Sequence, residues 1–448
     1  MAEMNWVVDV NEKLGEFDIS KEMEHWKKQS IYRVPACVTD LNKKAYKPQA
    51  VSFGPYHHGE EDLELMEGHK QRALLHFLKR SKKSIETCIE TLGGRVQELM
   101  DSYDWIDHMW HDKNIFLQLM ILDGCFMLEV LRSVSGITSD YAYNDPIFSH
   151  HGKIHIMPHI RRDMLMLQNQ LPMLLLEILH SIETGKEKNE EFLNKMILKF
   201  CSPNQEFHTM GPCLHVLDVY RKSLLQDPHK KSRHRKKSPS LVHESTGDII
   251  RSAVELHEAG IRFKTSKTTS LRDISFRGGI LSLPMIVVDD TTESTFLNLM
   301  AFERVHVGVG NDVTSYVFFM DNIIDSAKDV SLLHAKEIIQ NAIGSDKAVA
   351  KLFNSLSKDV TLDPESSLDK VHKKVNDYCK KKWNEWRANL IHTYFRSPWA
   401  ILSLVAAIFL VALTVLQTVY TIYPVYRNDS SPPSESFILP HAPTPSPQ

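Results

Sequence analysis

Between Val51 and Lys70 the chain reads VSFGPYHHGEEDLELMEGHK, which sets His57, His58 and His69 among five carboxylates and Lys70. Imidazoles beside carboxylates serve two chemistries, ligation of a divalent metal and general acid–base transfer of a proton. Ligation would require His57, His58 and His69 to converge with a carboxylate such as Glu60. Adjacent side chains on an extended segment point to opposite faces, so His57 and His58 do not easily share one ion. The stretch therefore reads as a structural turn. Gly54 and Pro55 end a strand, Tyr56 packs, Gly59 follows, and His57 or His58 caps the acidic start of the next helix. A second set, CSPNQEFHTMGPCLH, offers Cys201, His208, Cys213 and His215 as zinc ligands. Its spacing matches none of the usual CxxC or HxxxH pairings, and His215 belongs to the helical HVLDVYR. No metal, no cofactor and no catalytic residue is expected.

Other catalytic signatures are missing from the sequence. It holds no GxSxG elbow, no Walker loop, no HExxH and no kinase loop set. The GVGND run, Gly308 to Asp312, lacks the third glycine and the βαβ setting of a dinucleotide site and reads as a turn. His155 and His159 stand four apart, but Pro158 between them argues against an uninterrupted helical pair.

The elements that position these residues are mainly helical. Asp62 to Arg80 places Leu63, Met66, Leu74, Phe77 and Leu78 at helical spacing, and Lys113 to Val134 is apolar on most sides, as a core helix would be. Pro172 starts or kinks the helix that follows it. β signals occur at Val51 to Tyr56 and at Ile280 to Asp289, where β-branched residues follow glycines. Helices are expected over Ser331 to Ile343 and over Asp346 to Leu356, with Gly344 closing the first and Ser345 capping the second. Leu368, Val371, Val375 and Tyr378 form one stripe of a further helix. The fold class is thus mainly α, a large helical domain with a few short β-strands plus one C-terminal transmembrane helix.

That last element rests on Trp399 to Tyr423, a run without a charge that is long enough to cross roughly 30 Å of hydrocarbon. Trp399, Tyr420 and Tyr423 stand where interfacial aromatics belong. Lys380, Lys381, Lys382, Arg387 and Arg396 precede the run and only Arg427 follows it, so the positive-inside bias puts the large N-terminal part in the cytosol. No secretory signal opens the chain, whose first residues are acidic. The short stretch after Tyr423 suggests tail-anchored insertion, and residues 424–448, rich in proline and serine, read as a disordered tail. Six cysteines without a CxxC pair suit a reducing compartment.

Composition agrees with a large folded body: of 448 residues, 42% are hydrophobic and 24% charged, the balance of a globular chain. A net charge of −3 exerts no global pull on nucleic acid or anionic lipid, so any such pull is local. The local exception is Lys230, Lys231, Arg233, Arg235, Lys236 and Lys237, inside a stretch (226–248) that reads as an exposed linker or insertion. Read functionally, this patch suits contact with anionic lipid headgroups or service as a nuclear address; the plainer reading, which the sequence favours, is a solvated loop. No aromatic residue interleaves with it to stack bases, so no nucleic acid is expected. The organisation read from sequence is an N-terminal extension (1–30), a helical domain (31–396), a juxtamembrane end and span (397–423), and the tail.

Several segments in order, IYRVPACVTDLNKKAYKPQAVSFGPYHHGEEDLELMEGHK, LDGCFMLEVL, RRDMLMLQNQLPMLLLEIL, HVLDVYR, DDTTESTFLNLMAFE and VTSYVFFMDNIIDSAKDVSLL, together resemble the plant domain-of-unknown-function 247 family. The likeness runs from about Ile31 to Tyr423, with Gly54, Pro55, Tyr56, His57, His58, Gly59, His69 and Lys70 in its opening signature. One departure is Gln168, which stands where the family usually has a glutamate. The resemblance implies a plant membrane protein with one C-terminal span and no established enzyme activity. Some grass members of the family are associated with pollen self-incompatibility.

Two functions follow as expectations. The first is a single-pass protein of the plasma membrane or an endomembrane that recognises a protein partner or signals through one. The alternative is a membrane-anchored hydrolase or transferase with its acid and base between Gly54 and His69.

Overall fold

A computed structural model describes residues 2–135, 140–186, 189–203, 205, 208–226, 250–358, 368–381, 383, 386 and 398–428. The chain falls into two compact units, 1–380 and 381–448. Most described elements of the first are helices, with five short strands.

The central helix of the first unit is Lys113–Val134, which begins where the Asp112 carboxylate accepts from the N–H groups of Asn114 (2.8 Å) and Ile115 (3.3 Å). Such a cap satisfies donors that the first helical turn leaves open. Apolar on most sides, as its sequence indicates, the helix is buried along most of its length and is surrounded by Glu67–Ser81, Ile85–Gly93, Met173–Thr184 and Glu190–Cys201. Gly124 lets Met173–Thr184 come close. A β-carbon there would lie 3.2 Å from a methyl group of Leu175 and collide with Leu179. The helix is long and apolar enough to cross a membrane, but its burial inside the protein makes it a core element.

Two small sheets lie further along the chain. In the first, β1 (Arg262–Thr265) runs parallel to β3 (Ile280–Leu283), and β2 (Ser275–Arg277) runs antiparallel to β3 on its other side. Leu281 and Leu283 point into the core while Ile280 and Ser282 are half-buried, the two-residue alternation of a strand with one covered face. Pro284 has no N–H to give and separates β3 from β4 (Ile286–Val288), which pairs in parallel with β5 (Ile339–Asn341).

Three expectations need correction. No strand forms over Val51–Tyr56: the segment is buried, but side chains rather than a neighbouring strand take its N–H groups. The helix expected over Ser331–Ile343 is Ala327–Ala335, after which Glu337 takes a left-handed turn (φ 57°) and the chain becomes β5. Here pairing with β4, and the burial of Ile338 and Ile339, override the helical periodicity. The helix read from Asp62 begins as a 3₁₀ turn, Glu61–Met66, and becomes α-helical only at Glu67. Asp346–Leu356 forms as expected, with the Ser345 hydroxyl accepting from Ala348 N–H, and the late stripe falls on Asp369–Cys379.

In the second unit one helix spans Pro398–Asn428 and contains both Trp399 and Tyr423. At 1.5 Å per residue it is about 46 Å long. Its described side chains from Leu402 to Thr421 are exposed on every face, including Ile408, Phe409, Leu410 and Val411. The three threonine hydroxyls turn inward: Thr414 donates to Leu410 O (2.8 Å), Thr418 to Thr414 O (2.8 Å) and Thr421 to Gln417 O (2.7 Å). The basic run Lys230 to Lys237, with all of its insertion beyond Gln226, lies outside the described residues, as does the tail from 429.

Candidate functional site

The signature segment enters the core as extended backbone without a partner strand. Buried backbone N–H groups need acceptors. Asp163 Oδ2 accepts from Gln49 (2.9 Å), Ala50 (2.6 Å) and Val51 (3.1 Å), so one carboxylate oxygen holds three consecutive amides. Asn169 Oδ1 then accepts from Phe53 (2.7 Å), and its amide donates to the carbonyls of Val51 and Asp163 (3.0 Å each). Asp123 Oδ2 accepts from Gly54 (2.8 Å). Gly54 has φ +73°, and a β-carbon there would lie 2.9 Å from the Tyr103 hydroxyl and 3.0 Å from Gln170 O, so glycine is required on both counts.

Lys70 closes this arrangement from below. Its ammonium is fully buried, 2.7 Å from Asp123 Oδ1 and 2.7 Å from Glu67 Oε1, and it donates to the Ser52 hydroxyl at 3.2 Å. Burial pushes the Asp123 carboxyl above the ordinary carboxylate range, while the Lys70 ammonium and the Gly54 N–H pull it back. Burial likewise raises Asp163 against the opposing pull of its three amides. Lys70 and Asp123 have no contact with solvent, and their bonds are spent on each other, on Glu67 and on Ser52 and Gly54. What they do in this structure is architectural: they fix a chain crossing among LDG (Asp123), RRDM (Asp163) and NQ (Asn169, Gln170).

The histidines of the signature take three separate partners. His57 Nδ1 meets Glu60 Oε1 at 2.6 Å. Burial opposes ionisation of Glu60, but the bonds from His57 and Lys47 outweigh it and leave that carboxyl below its usual value. His58 is exposed and meets the Trp110 ring edge-on, with centroids 5.3 Å apart. His69 Nδ1 faces the Arg72 guanidinium at 3.0 Å, and burial together with that cation lowers its pKa. The expected turn is present. The expected capping differs, because His57 bonds a side chain and the 3₁₀ turn has no side-chain cap. Tyr56 packs edge-on against Tyr103 and donates to Asp104 (2.5 Å), with Arg33 stacked between Tyr56 and the exposed Trp105.

The second histidine–cysteine set does not converge either. His215 is the N-cap of Val216–Leu224: Nδ1 accepts from Asp218 N–H (3.2 Å), and Nε2 donates to Ser30 O (3.1 Å). Cys213 faces Gly211 O and the Lys222 ammonium, Cys201 is buried, and His208 is exposed. Among the described residues no group of three or more His, Cys, Asp or Glu is placed to hold a metal.

Asp123, Asp163, Asn169, Gln170 and Glu303 stand inside the motifs, and chain position alone assigns them no task. Gln170 holds three backbone groups, donating to Met164 O and Met166 O (2.7 Å each) and accepting from Leu217 N–H (3.0 Å). Glu303 pairs with the buried Arg221 (2.6 Å) and accepts from Val313 N–H, Thr314 N–H and the Thr314 hydroxyl, which caps the helix Asp312–Ile323 from another element. The available signal was a charged residue at a core-facing position of an apolar run, as Asp123 and Glu129 are in FLQLMILDGCFMLEVL. Such a residue has to find a buried partner.

Burial holds the His215 imidazole neutral, with its pKa lowered to about 4. Protonation at Nδ1 would also end the cap on Asp218 N–H. A group whose folded pKa is depressed contributes stability that is complete above the unfolded value and is lost as pH falls towards the folded one. The expected loss is about 3 kcal/mol between pH 6.5 and 4, from 1.36 kcal/mol per pKa unit. His69, His180, His306 and His372 are lowered by burial as well and add in the same direction. Urea unfolding of the full chain at pH 7.5 and 4.5, beside His215→Gln, isolates the His215 share. Parallel pH slopes for the two proteins would remove this assignment.

The sequence comparisons agree with the motifs. The family model described as a plant protein of unknown function, DUF247, matches residues 31–413. The chain is 34% identical over 413 residues to UPF0481 protein At3g47200 of Arabidopsis thaliana, covering 87% of this chain and 85% of that protein. It is 23% identical over 521 residues to the putative UPF0481 protein At3g02645 of the same plant, covering 93% and 94%. No solved structure matches. The chain belongs to the plant family DUF247, and the buried polar crossing around Gly54, Lys70 and Asp123 is built from the segments that carry its likeness to that family.

Proposed function

We propose that this chain is a single-pass membrane-anchored protein whose helical body recognises a protein partner on the cytosolic side. The observation that carries the reading is the helix Pro398–Asn428, apolar through its middle and exposed on every described face. A helix hydrophobic all round is stable when hydrocarbon or protein covers it. The threonine hydroxyls bonded to carbonyls four residues back support the same reading, since hydrocarbon provides no other partner for them. Lys380, Lys381, Lys382, Arg387 and Arg396 on the N-terminal side favour a cytosolic body. A non-enzymatic role draws support from Lys70, Asp123 and Asp163, which are buried and bonded to one another's segments and to the backbone of Gln49 to Gly54.

A split fluorescent reporter fused at Met1 or at Gln448 tests orientation. The expected result is complementation of the N-terminal fusion by a cytosolic fragment and of the C-terminal fusion by a luminal or extracellular one. The reverse pairing would overturn the cytosolic recognition reading. For recognition itself, crosslinking in intact membranes should recover one reproducible partner whose capture the body alone competes away. Repeated recovery of none counts against a recognition role.

A further inference from the structure

Two exposed indoles stand near the start of the second unit. Trp383 is 71% exposed and Trp386 57%, and both are helical. Three positions of separation put them on one side of a helix, and their ring centroids lie 5.5 Å apart. Adjacent exposed tryptophans form an apolar patch, and such patches mark contact sites. An indole also carries one N–H that needs an acceptor, so it settles best where an apolar layer meets a polar, wet one.

The charge along the chain beside them narrows the partner. Lys381, Lys382 and Arg387 flank the two rings in sequence and Arg396 follows, while Glu385 is the single carboxylate from residue 381 to the helix start at Pro398. Pairing inside that stretch neutralises at most one cation of the four, so the stretch stays positive whatever its internal ion pairs. An acidic protein surface or an anionic lipid layer would answer such a charge. Position selects the lipid. Trp386 precedes Trp399 by thirteen residues, and at no more than about 3.5 Å per residue the rings stay within roughly 45 Å of the first aromatic residue of the apolar run. A tether of that length keeps them at high effective concentration beside whatever surface the helix Pro398–Asn428 enters.

We propose that Trp383 and Trp386 dock into the interface of the bilayer, with Lys381, Lys382 and Arg387 held by anionic phospholipid headgroups. The inference rests on the membrane reading of Pro398–Asn428 and adds to it a second contact, selective for lipid charge. Basic segments next to a span are drawn to the anionic cytosolic leaflet, and the attraction fades within a Debye length. Docking of the rings should therefore depend on both headgroup charge and salt.

The full chain is reconstituted in nanodiscs of phosphatidylcholine brominated on its acyl chains, with or without added phosphatidylserine, and indole fluorescence is read. Bromine quenches the indoles that reach it, and the share lost in Trp383→Phe with Trp386→Phe isolates these two rings from the other five tryptophans. The expected result is that this share rises about twofold or more when phosphatidylserine is present. Lys381→Gln with Lys382→Gln and Arg387→Gln should abolish that rise while leaving the chain resistant to carbonate. Raising the salt from about 0.1 to about 1 M, which shortens the Debye length from roughly 10 to roughly 3 Å, should remove most of it. A chain that enters the discs but whose two indoles show no quenching overturns this proposal and leaves the anchor standing. Equal quenching with and without phosphatidylserine overturns it too, as do indoles shielded from aqueous acrylamide yet untouched by bromine, which would lie against protein. Failure of the full chain to enter the discs overturns the membrane reading, and this proposal with it.

Discussion

Replacing Lys70 by methionine is expected to destabilise the first unit by about 3–5 kcal/mol, the usual penalty for removing one partner of a buried ion pair. The reason is the geometry below Gly54. Asp123 sits 2.7 Å from the ammonium with no solvent contact, and Glu67 lies equally close on the other side. Methionine fills most of the lysine volume, so the loss comes from an uncompensated buried carboxylate rather than from a cavity. Domains have about 5–15 kcal/mol in total, so much of the chain should fail to accumulate in folded form. The pair can be tested against itself. With Asp123→Asn added, the carboxamide oxygen still accepts from Gly54 N–H and the stranded charge is gone, so the double variant should recover more than half of the loss. Urea unfolding of the three proteins measures both effects. A single-variant loss below 1 kcal/mol, or no recovery in the double variant, would mean that the crossing does not depend on this pair.

Removing residues 398–428 is expected to move the protein from the carbonate-resistant membrane fraction to the supernatant. Carbonate strips proteins held by surface charge and leaves those that span the bilayer. The full chain should stay with the membrane because its uncharged run from Trp399 to Tyr423 exceeds the roughly 20 residues that a span needs. A milder change asks the same question. Leu410→Arg with Val411→Arg puts two charges near the middle of the helix at about 2.5–3.5 kcal/mol each on the insertion scale, which should leave a large fraction uninserted. A full chain released by carbonate, or a truncated one that still resists it, would remove the anchor and force another explanation for the exposed apolar helix.

Some of this was legible in the sequence because it depends on neighbours along the chain. The core helix Lys113–Val134, the helix Asp346–Leu356 with its Ser345 cap, and the late helix through Val375 follow from the spacing of apolar residues along the chain. The long apolar run near the C-terminus, the charge asymmetry around it and the family signature are equally local properties, read without coordinates. Only the tertiary structure decided which groups the signature segment bonds. Val51 to Gly54 has the β-branched and aromatic start of a strand, but its amides go to Asp163, Asn169 and Asp123, residues 69 to 116 positions away. The turn after Ala335 became a strand because Ile286–Val288 lay beside it. Composition and spacing show that His57, His58, His69 and Lys70 can carry a proton or a metal. Whether they converge depends on which distant groups share their buried space. Burial makes each polar group find a partner at hydrogen-bond distance, and chain position alone does not specify that partner.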